Sequence, residues 1–167
     1  TNIDMYALAF NSSGNLISSN STLKQNIITY LSQFRTIGDS IAIKDAFVVN
    51  IGIDLEIITL PNFNSNEVLR KCILALQQYF NILNWQINEP IMMRDLSVLL
   101  DKIEGVQTVR TITISNKNTN NSGANYSQYA YDTQGATLNG VLYPSIDPMI
   151  FEVKFPNSDI TGRIVNL

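Results

Sequence analysis

The hydrophobic and polar residues of this chain follow two different periods, and each period predicts one kind of element. Residues 51 to 57 place isoleucine or leucine at every second position, which is typical of a strand with one face in the core and one in water. Residues 21 to 34 instead repeat their apolar side chains at helical spacing, at Leu23, Ile27, Ile28, Leu31 and Phe34. The pattern as a whole therefore predicts a core built from both helices and strands.

The predicted order of elements is strand, helix, strand, strand, helix, helix and strand, followed by a β-rich tail. We expect strands at residues 3–10, 41–43, 47–60 and 106–114. We expect three helices, the first capped by Ser21, the second capped by Ser65 and the third beginning near Arg94. The first strand is apolar on both faces, so we expect it to be covered on both sides. The chain is therefore expected to be an α+β protein in which two to three amphipathic helices pack on a mixed sheet.

Two glycines follow helical stripes of apolar residues that stop just before them. Gly38 ends the segment that begins at Arg35, after the first helix, and Gly105 follows the third helix. Because glycine takes left-handed backbone angles at little cost, we expect a positive φ at both positions, each ending its helix. Leu76 lies on the apolar stripe of the second helix, and we expect its side chain to be fully buried.

The composition changes after the last predicted strand of the α/β part. Residues 115 to 128 read SNKNTNNSGANYSQ, which is polar and almost free of aliphatic side chains and therefore predicts a long surface loop. Short strands are expected beyond it, at 138–143, 149–155 and 160–165. We therefore divide the chain into an α/β domain of residues 1–115 and a polar loop with a β-rich tail at 116–167.

Composition and charge narrow the classes of partner. The chain has 167 residues, of which 45% are hydrophobic, so it can fold around an apolar core. Its net charge is −3 and its 11 lysines and arginines are scattered, so we expect no nucleic-acid partner. No apolar run reaches the roughly 18 residues of a membrane span, so we expect no membrane-spanning segment. The chain begins at Thr1 rather than at a methionine, and we expect it to be part of a longer protein.

The inventory of catalytic side chains is small. The chain has no histidine and a single cysteine, Cys72, which lies among apolar helical residues and is expected to be a core thiol, since no histidine can act as its base. Asp54 and Glu56 are two apart on a strand, where we expect a solvated face rather than an acid–base or metal pair. We expect no enzymatic activity, cofactor, metal or small-molecule substrate. One enzymatic alternative stays open, a glycosidase-like site in which two carboxylates meet in a cleft.

Two groups of residues in the tail are candidates for contact with a partner. They are Tyr126, Tyr129 and Tyr131 beside the polar loop, and Ile150, Phe151 and Phe155 on a predicted strand. The tyrosines form either a binding patch or the packing of the loop on its own domain. The strand either completes the sheet of this chain or pairs with the sheet edge of a neighbouring chain.

Several motifs follow one another in a particular order. They are Phe34-Arg35-Thr36-Ile37-Gly38 after the first helix, Val68, Leu76 and Tyr79-Phe80 on the second, and Leu96 with Ile103-Glu104-Gly105-Val106 at the end of the third. In this order they resemble the baseplate J-like family, the wedge proteins of contractile phage tails and related injection machines. Residues 145–157, SIDPMIFEVKFPN, are similar to the C-terminal end of the large wedge protein of T-even-like myoviruses.

The resemblance implies a non-enzymatic structural subunit of the virion, located in the tail baseplate. Such a subunit associates with itself and with other baseplate wedge proteins in a ring around the tail hub, and the ring rearranges when the sheath contracts. Arg35, Gly38, Gly105 and Leu76 would then be structural residues. The alternative that the residues leave open is a small-molecule or carbohydrate binding module that uses the tyrosine- and asparagine-rich loop as its recognition surface.

Overall fold

The structure is a computed structural model, and it describes residues 2–166. Its strands are β1 (Asn2–Ala7), β2 (Ala9–Phe10), β3 (Leu16–Ile17), β4 (Ser40–Asp45), β5 (Phe47–Thr59), β6 (Ile91–Met92), β7 (Val106–Lys117), β8 (Thr137–Leu138), β9 (Val141–Leu142), β10 (Met149–Glu152) and β11 (Ile160–Ile164). Its helices are α1 (Ser21–Leu31), α2 (Ser65–Tyr79), α3 (Met93–Asp101) and α4 (Pro156–Asp159). The mixed sheets and helices confirm the α+β class.

The long strand β5 is the centre of the main sheet. It pairs antiparallel with β7 along one edge and parallel with β10 and β11. Because β7 occupies one edge from Asn50 to Thr59, β10 and β11 share the other edge, β10 beside Phe47–Asn50 and β11 beside Ile53–Ile57. The chain thus runs along one edge of β5 twice in the same direction, and α4 lies in the interruption.

The tail is therefore part of the sheet that the α/β part begins. Both of its longer strands pair with β5, and the predicted boundary at residue 115 falls inside β7. A break in composition at this point does not correspond to a break in the sheet. The physical reason is that a polar loop separates strands along the chain but does not prevent them from pairing in space.

The core lies between this sheet and the helices α2 and α3. Its fully or almost fully buried side chains are Ile51, Ile53, Leu55 and Ile57 of β5, Val68, Cys72 and Leu76 of α2, and Leu96 and Leu100 of α3. Leu76 is completely buried, as expected. The alternating isoleucines and leucine of β5 all face this layer, which confirms the predicted core face. The other face is wet only in part, because Asp54 is exposed whereas Asn50 and Gly52 are buried.

The helix caps lie one residue earlier than predicted. Asn20, not Ser21, caps α1, and its side-chain oxygen accepts a hydrogen bond of 2.7 Å from the backbone N–H of Leu23. Asn64, not Ser65, caps α2 in the same way. A capping residue has extended backbone angles and lies just outside the helix, and asparagine is as good a cap as serine.

Both glycines have the predicted positive φ, but only one of them lies close to a helix end. Gly105 has φ of +97° and packs tightly, since a Cβ built on it would lie 2.5 Å from Cγ2 of Val68. Gly38 has φ of +96° with open space around it. It does not end α1, which stops at Leu31. It lies instead in a later turn, where the guanidinium of Arg35 donates a hydrogen bond of 3.0 Å to the Asp39 carbonyl.

The N-terminal unit, residues 2–45, stands beside the main sheet. Its strands β1 and β4 pair in parallel as a two-stranded ribbon, and α1 packs against β4. The expectation that the first strand is covered on both sides is wrong, because Ile3 and Met5 are about two-fifths exposed and so is Tyr6 on the other face. Within the described residues, β4 is the one strand that pairs with β1.

Replacing Leu76 with alanine should destabilise the protein by about 2–5 kcal/mol, because it leaves a cavity in the layer between α2 and β5. Urea unfolding followed by circular dichroism measures the loss. Leu74 is on the same helix and is 42% exposed. Leu74→Ala is the matched control and should cost less than about 1 kcal/mol. Equal losses of unfolding free energy in the two variants would show that the wrong face of α2 has been assigned to the core.

Alanine at Gly105 and at Gly38 should have unequal effects, although both glycines have the same backbone conformation. Gly38→Ala introduces only backbone strain and should cost about 1 kcal/mol. Gly105→Ala adds a clash with Val68 and Phe63 and should cost about 2–4 kcal/mol. The free energies of unfolding of the two variants, measured side by side, check this order, and a larger loss at Gly38 would contradict it.

Candidate functional site

The predicted contact strand of the tail is buried within this chain. Ile150 and Phe151 of β10 pair with Val48 and Val49 of β5, and both side chains are at most 5% exposed. Of the two alternatives for this strand, the structure has the first: the strand completes its own sheet, and these two candidate interface side chains are internal. Phe155 is half-buried, and its ring meets that of Tyr126 edge-on at 5.4 Å.

The three tyrosines beside the polar loop mainly hold that loop in place. The hydroxyl of Tyr126 donates a hydrogen bond of 2.6 Å to buried Asp159, and burial together with this carboxylate raises the pKa of Tyr126 to about 12. The hydroxyl of Tyr131 donates to the carbonyl of Tyr143 at 2.6 Å. Tyr129 is the most exposed of the three, and its ring packs edge-on against Phe47.

Asparagine side chains order the polar segment that the sequence marks as a surface loop. Its first three residues continue β7, and Asn118 immediately after them is buried. The side-chain oxygen of Asn118 accepts hydrogen bonds from the backbone N–H groups of Asn120 and Asn121, which closes a tight turn. Asn50 of β5 then accepts a hydrogen bond of 2.7 Å from the Ser127 backbone and ties the far end of the loop to the sheet.

A buried carboxylate joins three parts of the chain. Glu152 is 3% exposed, and its two oxygens accept hydrogen bonds from the backbone N–H of Leu16 at 2.7 Å and from the amide of Asn50 at 2.8 Å. Burial raises the pKa of this carboxyl, while the two hydrogen bonds and the charge of Lys154 act in the opposite direction. Glu152 therefore fastens β3 of the N-terminal unit to the main sheet. Residue pattern alone contains no signal for this contact.

The carboxylates of the outer sheet face are engaged with their neighbours on β11. Asp54 accepts a hydrogen bond of 3.1 Å from the hydroxyl of Thr161, and Glu56 pairs with Arg163, whose hydrogen bond lowers the pKa of Glu56. The expectation of a solvated face fits this arrangement, since Asp54 is exposed and the pair is on the surface. Among residues 2–166, no three His, Cys, Asp or Glu side chains gather where they could hold a metal ion.

The remaining candidate chemistry is Cys72 and the clefts. Cys72 is completely buried in the layer under α2, and this burial raises the pKa of its thiol to about 11. One cleft of about 640 Å³ lies between α2 and α4 and is lined by amide side chains such as Gln77, Asn81 and Asn157. A second cleft, of about 310 Å³, lies between the N-terminal unit and the loop and includes Tyr129, with Tyr126 beside it.

The most unusual surface of the molecule is the apolar exterior of the N-terminal unit. Its exposed large hydrophobic side chains are Ile3, Met5, Tyr6, Phe10, Ile17, Leu23, Tyr30, Phe34 and Ile37. No side chain of α1 is fully buried, although the helix was expected to bury its apolar stripe in the core. The signal was present in the sequence, because the apolar positions of α1 cover more than one face of the helix.

The family models and curated proteins to which this chain was compared include no match. A scan against protein-family models found none that matches this chain, and a search of the curated proteins found no match either. The likeness to baseplate wedge proteins therefore stays an expectation that is carried by motifs and their order. None of the helices within residues 2–166 is long and apolar enough to cross a membrane.

The raised pKa of Glu152 predicts how stability changes with pH. The folded protein holds this proton more tightly than the unfolded chain, so the group adds stability as the pH falls through its raised folded-state pKa, a gain that is complete below the ordinary value of 4.5. Glu152→Gln cannot titrate and should lack the gain. Urea unfolding at about pH 7 and about pH 5 should therefore show the stability difference between wild type and variant shifting toward the wild type at the lower pH.

Exposed Glu104 offers a matched control, since Glu104→Gln removes one carboxyl group without touching the buried contact. The shift should be present for Glu152→Gln relative to this control. A difference that stays constant with pH, or that moves in the opposite direction, would contradict the burial of an ionisable group at this position.

Proposed function

We propose that this chain is a structural subunit of a contractile phage tail baseplate, where it forms part of the wedge and ring around the tail hub. Its partners are further copies of itself and other baseplate wedge proteins, and its location is the virion. The single observation that carries this proposal is the apolar exterior of the N-terminal unit. The order of motifs resembles the baseplate J-like family, and this resemblance is the reason for proposing a phage baseplate as the assembly.

Exposed apolar surface on this scale is typical of an interaction site. Nine large hydrophobic side chains of the N-terminal unit are at least 37% exposed, and Phe34 and Ile37 reach 70% and full exposure. Monomeric soluble proteins rarely leave large apolar patches in water, since their burial against a partner is favourable. The N-terminal unit is therefore the part of the chain that gains most from contact with another subunit.

The ribbon of β1 and β4 supports the same conclusion on different grounds. Parallel strands occur almost only in sheets whose two faces are covered, and a ribbon of two strands is marginal by itself. Here the ribbon has Ile3 and Met5 exposed on one face and Tyr6 on the other. A partner that packs on the ribbon or extends it at the open edge of β1 would supply the missing cover.

The N-terminal unit is held firmly enough to transmit a contact to the core. Asp45, at the end of β4, accepts a hydrogen bond of 3.0 Å from the Ser19 backbone and pairs with Lys24 of α1 at 2.6 Å. Glu152 binds the backbone of Leu16 from the main sheet. These contacts fix α1 and β3 relative to β4 and β10, as a structural subunit requires.

A second candidate function, a small-molecule or carbohydrate binding module, is favoured by the cleft of about 310 Å³ beside Tyr129. Its lining combines an aromatic ring with the charged side chains of Asp45 and Lys154. The hydroxyl of Tyr126 is already bonded to Asp159, which leaves Tyr129 as the accessible tyrosine. Binding of a glycan or small ligand by the isolated chain, lost in Tyr129→Ala, would support this alternative.

The assembly proposal predicts association of the purified chain. Sedimentation velocity over a range of concentrations should show dimers or larger species, or a complex when other wedge proteins are added, with an interface on the order of 1,200 Å² or more in total. Met5→Asp on the exposed ribbon should weaken association and leave the far-ultraviolet spectrum unchanged.

Ile150→Asp is the contrasting variant, because its side chain is buried in β10. It should lower the free energy of unfolding by several kcal/mol through an unpaired buried charge, roughly 3–5 kcal/mol. A wild-type chain that stays monomeric at high concentration, and that also fails to bind any other baseplate protein, would overturn the proposed function.

A further inference from the structure

Helix α1 has two apolar faces, and the chain itself covers only one of them. Ile28 and Leu31 are half-buried on the side that packs against β4, and the ammonium of Lys24 reaches Asp45 on that side. A helix on the surface of a globular protein normally has one apolar stripe, which faces its own core. The second stripe therefore needs a separate explanation.

The second stripe, which we call the seam, consists of Leu23, Ile27 and Tyr30 of α1 together with Phe34 in the turn that follows the helix. Ile27 is half-buried and the other three side chains are exposed. Within the helix, the steps of four and three residues from Leu23 to Tyr30 are those of the contact positions in a coiled coil, and Phe34 and Ile37 continue the apolar surface in the turns that follow. Tyr30 is 61% exposed and Phe34 is 70% exposed. Their rings pack on each other with centroids 5.3 Å apart, so the aromatic surface is preassembled.

The seam carries no charge. Lys24 is the one charged residue within Ser21–Leu31, and it is paired with Asp45 on the other side of the helix at 2.6 Å. The seam residues of a second copy therefore bring no like charges of their own to this contact. Arg35, beside Phe34, directs its guanidinium to the backbone carbonyl of Asp39. A contact in which the same patch serves both subunits requires a surface that is compatible with a copy of itself.

We infer that α1 binds α1 of a second copy of this chain through the seam, in a two-fold contact with Tyr30 and Phe34 at its centre. This inference rests on the proposed function, and it names which surface joins two copies. Leu23, Tyr30, Phe34 and Ile37 together leave on the order of 600 Å² of surface exposed, most of the roughly 800 Å² that one partner contributes to a standard interface. The neighbouring ribbon supplies further apolar surface.

The aromatic pair should dominate the strength of the contact. Tyrosine is among the side chains that most often carry binding energy at interfaces, and a large ring at the centre excludes water from the rest of the contact. Glutamate at position 30 or 34 would place a charge in that apolar centre. Because both side chains are exposed in the single chain, the same change should leave its folding intact.

The experiment compares Tyr30→Glu and Phe34→Glu with Gln25→Glu by sedimentation equilibrium. Gln25 is exposed and, at 100° per residue, lies on the opposite side of α1 from the seam, so it receives the same new charge away from the contact. Each seam variant should weaken self-association by roughly tenfold or more, and Gln25→Glu by much less. Circular dichroism and urea unfolding confirm that all three variants fold as the wild type does.

The outcomes separate this inference from the proposed function. If the wild type associates and the seam variants associate equally well, the seam is not the contact, while the assembly role stands. If the wild type is monomeric alone but binds another wedge protein, the second copy is the wrong occupant of the seam, and the assembly role again stands. If the wild type neither associates nor binds any baseplate protein, both ideas are overturned.

Discussion

The burial of β5 is the constraint on which the rest of the structure depends. This strand has neighbours on both edges and a helical layer over its face of alternating isoleucine and leucine. A central strand with a fully apolar face is stable only when all of these are in place, because its backbone groups need partners and its side chains need to leave water. The fold can be understood as the set of segments that this one strand requires.

The edge of β5 opposite β7 explains why the tail belongs to the same body as the rest. β10 and β11 occupy that edge one after the other, and α4 lies between them. Buried polar groups then tie the outer parts to this edge. Asn50 holds the polar loop, and Glu152 holds the N-terminal unit. Each of these groups has its hydrogen bonds satisfied, as buried polar groups must if they are not to destabilise the fold.

The same arrangement gives the molecule a well-buried main sheet and an N-terminal unit with an apolar exterior. Several polar groups are engaged in holding the fold together, since Asp159 anchors Tyr126 and Glu56 pairs with Arg163. The N-terminal unit, by contrast, has large apolar side chains that stay exposed within residues 2–166. This distribution supports the proposal of a protein that acts through contacts. The exposed apolar side chains that such contacts would use lie in the N-terminal unit, whereas Ile150 and Phe151 of the tail are buried.

What the sequence by itself determined is the set of local elements. Period two predicted β5 with its buried face, helical spacing predicted α2 with Leu76 in the core, and glycine predicted the positive φ at Gly38 and Gly105. Each of these depends on residues within a few positions of one another. Only the tertiary structure decided that Ile150 and Phe151 are internal, and which of the apolar side chains around α1 are external, Tyr30 and Phe34 among them. The physical reason is that periodicity shows that a face is apolar, whereas the segment that covers that face is chosen by pairing between distant parts of the chain.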